Sequence, residues 1–198
     1  MRRLLLITLI AALPVRQAAA DPRAPEPGQP PEQTPAQQAA QEMMQVYEEF
    51  CLARFPDPKA FAEGAAAHHM APENADQAAK ILLGRPGDAW RLTTPKATYD
   101  VAIQAGGRQG CVVSGQVADD AGIRAAFDLL VGIYASSHEL GTLSKPPLRT
   151  GLVKQVPAAL QIIGATPDGR PRQAFVNMST GQGPVMQVRM TREFAPRP

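Results

Sequence analysis

The hydrophobic pattern changes period partway along the chain. From Ala36 to Arg54, Met43, Val46, Tyr47, Phe50, Cys51 and Arg54 recur at three- and four-residue spacing, while Glu42, Gln45, Glu48 and Glu49 lie mostly off that stripe. This is the pattern of an amphipathic helix. Phe55-Pro56-Asp57-Pro58 then interrupts it. A residue ahead of proline avoids helical angles, so Phe55 and Asp57 are pushed extended. Asp57 suits an N-cap and Pro58 the first helical position. A short helix is predicted from Pro58 to about His69, with Phe61 and Ala65 inward. Another runs from about Glu73 to Leu83, ended by Gly84 and kept from resuming by Pro86.

Beyond this point the period is two. Asp88–Thr94, Ala97–Gln104 and Cys111–Val117 alternate, with Tyr99, Val101 and Ile103 on one face of the second run and Cys111, Val113 and Val117 on one face of the third. Gly106-Gly107 marks a hairpin between these two. Asp119 or Asp120 caps a long helix reaching about Ser136. Its buried stripe is read as Ile123, Ala126, Phe127, Leu130 and Tyr134, broadened by Val131 and Ile133. Four further strand-like runs follow, at Thr150–Val156, Ala158–Ala165, Arg172–Ser179 and Val185–Arg192, with Arg192 opening a tail. Helices followed by hairpins define an α+β class: N-terminal helices, then a mostly antiparallel sheet interrupted by one long helix.

Composition divides the chain differently. Arg2 and Arg3 precede an apolar run, Leu4 to Val15, and Ala18-Ala19-Ala20 supplies small residues for cleavage. The run is far shorter than the ~20 residues of a membrane-spanning helix. Residues 1–20 are therefore expected to be a signal peptide cut after Ala20, leaving a periplasmic or secreted chain that is not transmembrane. Residues 21–38 read as a proline-rich disordered tether, because they carry almost no large apolar side chain to offset the entropy of ordering. A single domain is expected over 39–194, with 195–198 as tail.

Removing the signal changes the charge. The chain carries 20 basic and 18 acidic side chains, and Arg2, Arg3 and Arg16 leave with the signal, so the remainder is close to neutral. That balance argues against a nucleic-acid partner. Residues 21–139 hold nine basic and sixteen acidic groups, whereas 140–198 hold eight basic and two acidic. The basic second half either faces the acidic first half or presents a surface to an anionic envelope component or an acidic protein.

Two cysteines in an exported chain are expected to pair. Cys51 lies on the apolar stripe of the first helix and Cys111 on the apolar face of its strand, so both point toward one core. A reactive thiol lacks support, since the sequence has no Cys-x-x-Cys. Cys51-Leu52 with Phe55-Pro56-Asp57-Pro58, Gly84-Arg85-Pro86-Gly87-Asp88-Ala89-Trp90, Tyr99 and Gly110-Cys111 together resemble a family of small exported bacterial proteins of uncharacterised function. The resemblance covers about residues 43–135. It implies a fold and no catalytic residue.

Three clusters carry candidate chemistry. His68, His69 and Met70 offer ligands of the kind used in periplasmic copper sites. Adjacent histidines on a helix diverge, however, so a helix end is the plainer reading. Ser137, His138 and Glu139 place a nucleophile, a base and an acid in a row, yet triad members converge from separate elements, and a polar helix terminus accounts for them. Asp119 and Asp120 read more simply as caps than as paired catalytic carboxylates. Trp90 is either a core corner or a stacking platform for a sugar. The expected function is a disulfide-stapled binding or interaction module of the envelope, with no cofactor and no assigned catalytic group. A cell-envelope hydrolase using Ser137 and His138, or Asp119 and Asp120, is one alternative; a copper-binding protein is the other.

Overall fold

A computed structural model describes residues 33–106, 109–166 and 172–194. The expected signal peptide, most of the tether and the tail at 195–198 lie outside the described residues. The first helix, α1, spans Pro35–Tyr47, so it begins before residue 39. Thr34 and Gln37 form a reciprocal capping box at its start. The helix then continues as a π-helical segment, Glu48–Arg54. Helix α2 (Pro58–Ala67) starts where Asp57 accepts the amides of Lys59 and Ala60 and Pro58 occupies the first turn. A two-residue strand β1 (Ala71–Pro72) and helix α3 (Ala75–Ile81) follow, and Gly84 ends that helix with φ +81°.

Strands β2 (Gly87–Thr93), β3 (Thr98–Gln104) and β4 (Gly110–Val117) form a meander. Helix α4 (Asp120–Ser137) leads to β5 (Leu143–Ser144), β6 (Arg149–Val153), β7 (Val156–Ala165), β8 (Gln173–Thr180) and β9 (Met186–Phe194). All pairings are antiparallel. The strand order is β1-β2-β3-β4-β9-β8-β7-β5, with β6 also on β7. Joining β4 to β9 merges the two meanders into one sheet. The architecture is α+β, with N-terminal helices and a long helix interrupting the sheet. No helix among the described residues is long and apolar enough to cross a membrane.

Side-chain alternation sorts the core by face. Val101, Val113 and Met190 are register neighbours, as are Cys111, Arg192 and Phe175; these point toward α1, the π segment and α4. Ala89, Ala102 and Val112 point the other way, where Ala78, Ile81 and Leu82 of α3 cover them. Two tyrosines fasten α1. Tyr47 donates to the Thr191 carbonyl at 3.1 Å, and the single Tyr99 hydroxyl proton is shared between the Glu42 carboxylate at 2.9 Å and the Ala39 carbonyl at 3.0 Å. Burial pushes both phenols well above their ordinary pKa, so each stays a donor. Gly115 makes room for Tyr99, because a Cβ there would sit 2.8 Å from its ring.

Three expectations need correction. The break between the sixth and seventh strands falls at Lys154-Gln155, not at Pro157. Both turn residues have positive φ, +49° and +67°, as a two-residue hairpin loop requires. Neither is Gly or Asn, so the turn leaves no compositional mark. On α4 the fully buried row is Ile123, Phe127, Val131 and Ala135, with Ala126, Leu130 and Tyr134 packed partly buried beside it as expected, but Ile133 faces solvent. Arg192 does not open a tail. It lies inside β9 and is only 4% exposed.

Candidate functional site

The arrangement around Arg192 fixes the position of the helices. Its guanidinium donates to the carbonyls of Cys51 at 2.9 Å and Leu52 at 3.2 Å, and to Gln173 Oε1 at 2.9 and 3.1 Å. The first two are C-terminal carbonyls of the π segment, which lack intrahelical donors and sit at the negative end of the helix dipole. The rings of Tyr134, Phe194, Phe55 and Phe175 surround the cation, with centroids 4.8, 5.3, 5.5 and 5.8 Å from Cζ. Burial lowers the Arg192 pKa; dipoles and ring faces surround the cation, and among the described residues no carboxylate pairs with it. The Cys51–Cys111 disulfide closes beside it, with Cα atoms 5.3 Å apart, and Cys111 is the register partner of Arg192.

This anchor sets a groove between the π segment and the last turns of α4. The groove encloses about 250 Å³ and is lined by Glu48, Leu52 and Ala53 on one side and Leu130, Ile133, Tyr134, Ser137 and His138 on the other. Ser137 Oγ donates to the Tyr134 carbonyl at 3.0 Å, and His138 Nδ1 lies 2.9 Å from the same oxygen and 3.0 Å from Ser137 Oγ. The imidazole also stacks on Tyr134 with centroids 4.0 Å apart. With Nδ1 protonated, the imidazole and the hydroxyl both cap the Tyr134 carbonyl at the helix C-terminus. Asp119 and Asp120 sit at the opposite end of this 18-residue helix, ~27 Å away. Asp119 caps Gly122, and Asp120 pairs with Arg124.

Further along α4 the surface is apolar. Leu129 is 65% exposed and Ile133 58% exposed, and Gly132 between them has open space above it. On the far flank of the helix a second groove of about 360 Å³ lies against Lys145, Pro146, Leu148 and Gln161. Helix α4 therefore stands as a ridge with a groove on either side.

The remaining candidates are dispersed. His68 Nε2 binds Glu49 Oε2 at 2.8 Å, His69 is exposed with φ +52°, and Met70 turns into the core. These three side chains do not converge, and among the described residues no three His, Cys, Asp or Glu side chains group as a metal site. Trp90 packs half-buried on Phe61 at 5.4 Å. In the basic second half, Arg192 is buried and Arg189 donates to the Ile81 carbonyl at 2.6 Å. Lys145, Arg149 and Lys154 are exposed, and Lys145 pairs with Asp128 at 2.9 Å.

Glu49 accepts Arg54 at 2.7 Å as well as His68. Partial burial pushes its carboxyl up, but the bonds from Arg54 and His68 outweigh this and hold its pKa below 4.5. A depressed folded-state pKa stabilises the fold above the ordinary carboxylate range and is lost as pH falls through the folded value. The melting temperature of Glu49→Gln should therefore lie below that of the parent at pH ~7 and converge on it as pH falls through and below the lowered folded value, a small difference for a pair this exposed. A constant gap across that range would show that Glu49 contributes no pH-linked stability.

The geometry defines a class: a disulfide-stapled antiparallel α+β domain that presents a surface ridge. Comparison of the chain with protein-family models, curated proteins and solved structures finds no match.

Proposed function

We propose that this chain is a non-catalytic binding module of the bacterial cell envelope and that α4 is its contact ridge. The observation that carries this reading is Leu129 and Ile133, two large apolar side chains held in solvent on a rigid helix. Its opposite face is locked into the core by Ile123, Phe127 and Val131. Leu129 and Ile133 are neighbours at i, i+4, and adjoining exposed apolar side chains are the kind of surface that marks an interaction site. The grooves on both flanks add the shape complementarity that such a surface needs. Export rests on the charged start, apolar run and small residues of the first twenty positions, and the disulfide is compatible with an oxidising compartment. The bonds that Ser137 and His138 make to the Tyr134 carbonyl favour binding over hydrolysis.

Site-specific photocrosslinking in cells tests the ridge. A photoreactive residue at Leu129 or Ile133 should give discrete adducts, while the same residue at exposed Ala66 on α2 should give none. Equal labelling at all three positions, or no labelling at any, would overturn the assignment. Export is tested by intact mass on the envelope fraction. A chain beginning at Asp21 is expected, and retention of residues 1–20 on a cytoplasmic protein would refute it.

A further inference from the structure

A second surface, separate from the α4 ridge, lies at the edge of the sheet. Strand β6 pairs with β7 alone, so among the described residues the opposite edge of Arg149–Val153 has no strand. All five of its residues are exposed on both faces of the sheet. Leu152 is 66% exposed and Val153 43%, and nothing lies within 4 Å of a Cβ built on Gly151. Exposed edges are usually guarded by an inward charge, a proline or a bulge. The interior of this strand, Thr150-Gly151-Leu152, carries none of these, and the nearest charges, Arg149 and Lys154, stand at its first residue and just past its last.

The charge around the edge is one-sided. From Leu140 to Thr166 there are three cations, Lys145, Arg149 and Lys154, and no acid. Lys145 is engaged by Asp128, whereas among the described residues Arg149 and Lys154 have no acidic partner. These two bracket the free strand, one at each end. A second copy of the chain would fit poorly here. Antiparallel pairing of β6 with itself about Gly151 would set Arg149 opposite Val153 of the other copy, beside that copy's Lys154. Like charges would then meet at both ends, a destabilising arrangement.

We infer that β6 is a strand-addition site for an extended segment of another protein, apolar or β-branched in its middle and acidic at its ends. Main-chain hydrogen bonds to the free edge supply affinity. The pleat then divides the incoming side chains. Leu152 shares the α4 side of the sheet with its register partner Pro157, and Val153 points to the opposite side with Val156. Alternate residues of the guest therefore meet Leu152 on one face and Val153 on the other, while its end carboxylates meet Arg149 and Lys154.

The probe is a short capped peptide of alternating Val and Thr with Glu at each end, followed by fluorescence anisotropy against the whole chain at low salt. Saturable binding is expected, with slowed amide exchange over residues 149–153. Arg149→Glu with Lys154→Glu should weaken it ~10-fold or more, as should Lys in place of Glu in the peptide. N-methylation of the peptide's alternate amides, tried in both phases, should abolish binding in the phase that faces β6. Leu129→Glu should leave it unchanged, so failure here and failure of the α4 ridge read out separately. Absence of binding would overturn the inference, as would binding that survives methylation in both phases. Two further outcomes would also overturn it: protection of β6 in a dimer without peptide, which assigns the edge to a second copy, and charge-dependent sedimentation with anionic phosphatidylglycerol vesicles without peptide binding, which assigns it to lipid.

Discussion

Replacing Arg192 with leucine should destabilise the domain by about 3 kcal/mol, because at least three buried acceptors lose their donors at ~1 kcal/mol or more each. Those acceptors are the carbonyls of Cys51 and Leu52 and the side-chain oxygen of Gln173. Leucine recovers packing against Phe55, Phe175 and Phe194 but supplies no N–H. At this chain size the loss corresponds to a fall in melting temperature of roughly 10 °C. Lysine at the same position should recover little, since an ammonium lacks the planar fork that serves Gln173 with one edge and the helix carbonyls with the other. Gln173→Leu leaves Nε–H and Nη2–H of the buried guanidinium without their acceptor and should also destabilise, although the bonds to the helix carbonyls remain. A melting temperature for Arg192→Leu within 2 °C of the parent would show that the guanidinium merely breaks even against its own desolvation.

The second large effect belongs to the disulfide. Its cysteines are 60 residues apart in sequence, and closing a loop of that length stabilises by roughly 4 kcal/mol on the chain-entropy model. Cys51→Ala and Cys111→Ala should each lower stability by that order, and the double substitution should add almost nothing. Additive losses in thermal melts under oxidising conditions would mean that the cysteines contribute separately. The geometry adds a sharper expectation. Arg192 binds the carbonyl of Cys51 itself, so the bond and the cation hold the same turn. Combining Cys51→Ala with Arg192→Leu should cost less than the sum of the two, whereas Cys51→Ala with Asn74→Ala, which removes the cap of α3 on the opposite face of the sheet, should be additive.

Much of the fold was legible because the signals are local. The caps at Asp57 and Asp119, the proline after Asp57 and the Gly84 terminator act within a turn of the residues that carry them. Period-two alternation located seven of the nine strands. The two it missed, at Ala71–Pro72 and Leu143–Ser144, are too short to show a period. The Lys154-Gln155 turn was misplaced because its positive φ values are imposed by the pairing of β6 with β7, not by residue preference.

The site was much less legible. Ile133 read as core because it lies near the apolar stripe of α4, but the helix buries Ile123, Phe127, Val131 and Ala135 with Ala126, Leu130 and Tyr134 partly covered beside them, and Ile133 falls outside that arc. Ser137 and His138 were visible as a pair, while their common bond to Tyr134 O was not. Arg192 looked like the start of a tail because an arginine near a chain end usually remains hydrated.

The sequence by itself determined the approximate helix boundaries, the alternation of the strands and the pairing of the only two cysteines, since each depends on residue type and near-neighbour spacing. Only the tertiary structure decided that β4 joins β9, that among the described residues no strand covers the outer edge of β6, that Leu129 and Ile133 stay in solvent and that Arg192 is buried among four rings. Those outcomes depend on which distant segments meet, and burial of a charge or exposure of a leucine is set by that meeting, not by the side chain alone.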